Sequence, residues 1–114
     1  MKRLFHVVLE DAFGAARERG DVEWRPSSLA SEGFVHLSYA EQVPGTLATH
    51  YREHARVLLL ELELSDRAEL RDEISRGGAL FPHLHRALRL DEVARVHVLE
   101  RPAGGWERVS VPPR

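Results

Sequence analysis

Apolar and polar positions divide the chain into short elements. Leu4 to Leu9 is apolar on both faces except at His6, the pattern of a buried strand. Glu10 and Asp11 open a helical stretch through Ala12-Phe13-Gly14-Ala15-Ala16-Arg17-Glu18-Arg19, with acidic residues in the first turn, arginines late and Gly20 as a stop. Asp21 to Ser31 holds Trp24, Pro26, serines and charges without periodicity, which predicts a surface loop. In the next strand Phe34, His36 and Ser38 fall on one face and Val35 and Leu37 on the other. Ser38-Tyr39-Ala40-Glu41 reads as a capping box for a helix from about Tyr39 to Glu53, with Pro44 near its first turn and Val43, Leu47 and Tyr51 on one face. Arg56 to Leu64 is a strong strand centred on Val57-Leu58-Leu59-Leu60, and Leu70 to Ile74 is a weaker one. At the far end, Arg95 to Glu100, a turn through Pro102-Ala103-Gly104-Gly105 and Trp106 to Val111 predict a β-hairpin.

A length of 114 residues suits one domain, residues 1–114, with one core. The net charge of −2 gives no basic stripe, so nucleic acid is disfavoured as a partner, and no run approaches the ~18 apolar residues of a membrane span. The start of the chain lacks the apolar region of a signal peptide, and the absence of cysteine excludes disulfides, thiolate metal sites and a Cys nucleophile. Both features fit a soluble cytoplasmic protein. Oligomeric state leaves no signature in the sequence.

Two histidine-bearing segments carry the candidate chemistry. In Gly33-Phe34-Val35-His36-Leu37-Ser38, His36 and Ser38 are spaced to hydrogen-bond a sugar hydroxyl or phosphate. The competing assignment is a structural histidine on a carbonyl, with Ser38 as a helix N-cap. In Gly78-Ala79-Leu80-Phe81-Pro82-His83-Leu84-His85, Pro82 lacks a backbone donor, which predicts a rigid loop rather than a central strand. Gly77-Gly78 would let that loop turn and present Phe81 as a stacking wall beside His83. His83 with His85, and His50 with His54, have the spacing of paired metal ligands, but no recognisable frame supplies a third, so no metal set is assigned. Arg25, Arg71 and Arg76 are candidate anion contacts. Neither a nucleophile elbow nor a phosphate-binding glycine loop is present.

The strand with His6, the segment Arg25-Pro26-Ser27-Ser28-Leu29-Ala30-Ser31-Glu32-Gly33-Phe34-Val35-His36-Leu37-Ser38, then Gln42-Val43-Pro44-Gly45 and Gly78 to His85 together resemble the DUF952 family, across nearly the whole chain. The resemblance implies an ADP-ribosyltransferase-like fold: α+β, with a small split antiparallel β core and short flanking helices. His6 and Val35-His36-Leu37-Ser38 are also similar in order and separation to strands of RNA 2′-phosphotransferases, although Val7-Val8 stands where those enzymes carry Gly-Thr. This second resemblance implies that His6 and His36 line a split between two sheets holding NAD or an ADP-ribosyl group. It also implies a catalytic glutamate, for which Glu73 is the nearest candidate. The expectation is a cleft lined by His6, His36, Ser38, Phe81 and His83, with Arg25 as an anion contact. In it His36, His83 and Glu73 are catalytic, Phe81 stacks on a ring and NAD is a candidate substrate of a transferase. The alternatives are a non-catalytic metabolite- or peptide-binding module and a His-based metal enzyme.

Overall fold

Leu4–Val8 forms β1, with all five residues buried, because a run without polar alternation can only be covered on both faces. The computed structural model describes residues 2–113; Met1 and Arg114, the ends of the expected domain, lie outside the described residues. Helix α1 spans Glu10–Glu18 and ends before Gly20, whose φ of 72° lets the chain turn back. The stretch expected as loop contains β2 (Glu23–Trp24) and helix α2 (Ser27–Glu32). Then come β3 (Val35–His36), β4 (Ser38–Tyr39), a 3-10 helix over Ala40–Gln42 and helix α3 (Val43–His50). The chain continues through β5 (Arg56–Leu62), β6 (Leu70–Ile74), β7 (Leu80–Leu84), β8 (Leu88–Arg89) and β9 (Val93–Glu100).

The result is an α+β fold with small antiparallel sheets: β4-β1-β5-β9, β3-β7-β6 and the ribbon β2-β8. The four-stranded sheet is the middle layer. On one face Leu4, Val8, Leu58, Leu60 and Leu62 pack against Phe13 of α1, Val35, Leu37, Leu84 and Leu88, so this face meets the three-stranded sheet. On the other, Phe5, Val7, Val57 and Leu59 pack against Val43 and Leu47 of α3, Leu99 and Trp106. Burying apolar side chains on both faces is what ties the layers together.

Four local expectations are corrected. The chain leaves the small sheet after His36 and joins the large one at Ser38, so alternation breaks at Leu37. Helix α3 ends at His50, so His50 and His54 do not share a helix face. Phe81-Pro82-His83 lies within β7, the central strand of its sheet. Pro82 is tolerated there because its carbonyl, which accepts from Leu37 N–H at 3.1 Å, faces the point where β3 peels away and no ladder donor is needed. Finally, Trp106–Arg108 is a 3-10 helix, not the second arm of a hairpin. Its indole is buried and donates to the carbonyls of Tyr51 and His54 at 2.9 and 3.1 Å, so packing of the aromatic ring decides the path.

Candidate functional site

The register of the three-stranded sheet assembles the site. His36 lies opposite His83, Arg71 opposite His83 on the other side, and Glu73 opposite Phe81. Directly opposed residues in antiparallel strands point to the same face. His36, Arg71, Glu73, Phe81 and His83 therefore share the face turned away from Val35 and Leu84, which enter the core. Phe34 and His85 lie on it too, as their ring contacts show. The Phe34 ring stacks on His83 with centroids 3.9 Å apart and is 4.8 Å from His36 and 5.3 Å from His85. The His36 ring meets that of His83 edge-on at 5.4 Å.

Glu73 organises two imidazoles with one oxygen. Its Oε1 accepts from His83 Nδ1–H at 2.9 Å and from His85 Nε2–H at 2.7 Å. These bonds, His85 first and His83 second, hold the carboxyl below its ordinary value. The bond to Glu73 leaves Nε2 of neutral His83 as an acceptor, and that atom is buried without a partner. A buried polar atom left unpaired costs stability, and this one belongs to a ring packed against those of Phe34 and His36. His36 differs: its side chain is 54% exposed and its Nε2 lies 2.9 Å from Glu32 Oε2. Gly33, at φ 89°, ends α2 in the left-handed region and lets Glu32 reach back over the strand. Ser28 Oγ donates to the carbonyl of Phe34 at 2.8 Å and steadies the same turn.

The remaining expected residues have other surroundings. His6 lies behind the site: Trp24 Nε1–H donates to its Nε2 at 3.0 Å, so His6 is protonated on Nδ1, which donates to the His36 carbonyl at 2.7 Å. Burial pushes its pKa down to about 4, with the bond to His36 partly opposing that. Ser38 is buried and bonds to Thr46 Oγ1 at 3.0 Å, while Gln42 rather than Ser38 completes the cap by accepting from Tyr39 N–H at 3.0 Å. Arg25 is exposed and pairs with Glu23 at 2.8 Å. The ring stacked on His83 is that of Phe34, while Phe81, expected as a stacking wall for a ligand ring, lies on the same face opposite Glu73. Glu32 was not expected, His85 was expected only as a metal-ligand partner of His83, and Phe34 was legible only through its alternation with His36.

The family model described as protein of unknown function DUF952 matches residues 7–96. The chain belongs to that family. It is similar to protein CC0527 from Caulobacter crescentus, whose crystal structure is 38% identical, covers 90% of each chain and superposes with a TM-score of 0.75. The solution NMR structure of CC0527 gives a TM-score of 0.77 at the same identity, covering 92% of this chain and 90% of that one. No curated protein matches.

In this DUF952 protein the histidine face is a shelf of graded exposure: the side chains of His36, His85 and His83 are 54%, 24% and 5% exposed. Two concavities lie elsewhere: one of about 120 Å³ lined by Phe13, Arg17, Leu90, Val93 and Val96, and one of about 450 Å³ around Leu9, Glu10, His54 and Arg56. Among the described residues no group of three or more His, Cys, Asp or Glu side chains is arranged to hold a metal ion. Nor, among them, is any helix long and apolar enough to cross a membrane.

Proposed function

We propose that the outer face of the β3-β7-β6 sheet binds and transforms a small anionic molecule bearing a ring, of the NAD-like or ADP-ribosyl class. The observation that carries this reading is His83: one imidazole nitrogen is fixed on Glu73 and the other is buried and unpaired. That is the arrangement of an acid–base histidine, whose partner carboxylate selects the tautomer and stabilises the charged form. Phe34 and Phe81 offer apolar faces for a ring, His36 and Arg71 take anionic or hydroxyl oxygens, and His6 positions His36 through its carbonyl. The reading includes an ADP-ribosyltransferase-like fold. It is supported by the meeting of two antiparallel sheets at Val35-His36-Leu37-Ser38 over His6. Absence of cysteine supports a cytoplasmic setting.

The exposure of His36 at the edge of the face supports a second reading, a non-catalytic metabolite- or peptide-binding module. Calorimetric titration with NAD and ADP-ribose tests the first. Saturable binding that weakens at least tenfold in His36→Ala, and turnover that disappears in a folded His83→Gln variant, are the expected results. No binding at millimolar nucleotide, or unchanged binding by His36→Ala, overturns it; binding without any turnover transfers the face to the second reading.

A further inference from the structure

Glu32 is a strange partner for His36. It occupies the last turn of α2, where the helix dipole disfavours a carboxylate, and α2 has no basic residue there to offset it. Its side chain is 47% exposed, and it takes no part in the core. What holds it is the shelf: the bond to His36 lowers its pKa most, with smaller electrostatic contributions from Arg76 and His83. Arg71 stands opposite His83 on the shelf, and among the described residues neither Arg71 nor Arg76 has an ion pair or side-chain hydrogen bond. One exposed carboxylate therefore lies on His36, within the field of His83 and the uncommitted Arg76, with the uncommitted Arg71 across β7 on the same face.

We propose that Glu32 is a built-in stand-in for the ligand's anion, occupying His36 in the free protein and giving way to a phosphate group that His36, Arg71 and Arg76 then hold. This deepens the reading above, since it rests on the same face being the binding site and names the part of the ligand that docks first. An exposed carboxylate–imidazole pair contributes little, whereas phosphate oxygens bring more charge and accept several charge-assisted bonds at once. The exchange also places the ligand beside the reacting histidine, because the His36 ring abuts that of His83. Release of Glu32 breaks no core contact. The exchange is local.

Inorganic pyrophosphate is the probe, titrated at pH 7 and fixed ionic strength while the imidazole nitrogens are followed by NMR. In the wild-type chain the His36 signals move saturably. In Glu32→Gln, which deletes the competing charge, affinity rises about two- to fivefold, the equivalent of one exposed ion pair. In Arg71→Ala affinity falls. Absence of a His36 response, or a Glu32→Gln variant that binds equally or more weakly, overturns the proposal. Nucleotide binding that Glu32→Gln leaves unchanged sinks this inference and spares the nucleotide reading. A normal pyrophosphate response without binding of NAD or ADP-ribose does the reverse.

Discussion

Two carboxylates, Glu92 and Glu73, show how differently the same group is used in one small chain. Glu92 is buried and saturated: Arg86 grips it with both terminal nitrogens at 2.8 Å, and Ser65 N–H, Ser65 Oγ and Arg89 N–H donate to it at 2.7, 2.9 and 2.9 Å. Burial alone would raise its pKa, but these donors, Arg86 foremost, bring it to about 2. The loose end of that cluster is Arg86 Nε, turned away by the two-pronged grip. Glu73 is partly exposed and spends a single oxygen on two histidines, one of which keeps a nitrogen unpaired. A saturated carboxylate has no oxygen left to offer a ligand and reads as an anchor between β8, β9 and the loop before β6. An unsaturated one keeps a valence in reserve.

Removing the charge from each acid tests that contrast most severely. Glu92→Gln leaves a largely buried Arg86 without its counter-ion, and urea unfolding will show a loss of about 3–5 kcal/mol, the usual cost of breaking a buried pair from one side. Glu73→Gln will move the unfolding midpoint little, yet change the tautomer populations of His83 and His85 seen by NMR. Equal losses from the two variants would break the comparison and make Glu73 an anchor as well.

The sequence made one of these regions more legible than the other, for physical reasons. Strands β1 and β5 could be read because uninterrupted apolar runs have one solution, burial on both faces, and the weak β6 pattern was enough to mark a strand. What brings Glu73, His83 and His85 together is register between β6 and β7, and no local pattern encodes register when the shared face is polar. Pro82 misled because its missing donor argues against a central strand, and only the departure of β3 after His36 makes the position acceptable. The same departure defeats the alternation that linked His36 with Ser38. Of the expected catalytic group, His36 and His83 were found from residue pattern, and Glu73 through family resemblance alone. Phe34 and Glu32 gained their importance from the tight turn at Gly33.

Acid sharpens the comparison through His6, which belongs to the anchored half although it touches the backbone of the site. Its folded pKa of about 4 lies below the unfolded value near 6.5, so between these values the unfolded chain binds more protons and stability falls as pH falls. The contribution is complete above pH 6.5; roughly 3 kcal/mol of it is lost by pH 4, of which about 2 is lost by pH 5, before Glu92 begins to titrate. Protonation would also set an N–H against the Trp24 donor. Unfolding curves between pH 7 and 5 will therefore slope less in His6→Gln than in wild type. Parallel slopes would mean that His6 takes up its proton alike in the folded and unfolded chain and that its link to Trp24 is misassigned.

The smallest effect belongs to Ser38, whose neighbourhood decides on which side of the comparison it falls. Its hydroxyl bonds to Thr46 on α3, behind the four-stranded sheet, while His36 two residues earlier lies on the shelf. A side chain–side chain bond of this kind contributes about 1 kcal/mol net. Ser38→Ala and Thr46→Val should each cost about that much, and the double variant no more than either alone, because both delete the same bond. Pyrophosphate affinity should be unchanged in all three. Additive losses would show that the bond is not formed in solution. A fall in affinity with Ser38→Ala but not Thr46→Val would return Ser38 to the ligand, and would require the strand around Leu37 to turn its hydroxyl toward His36.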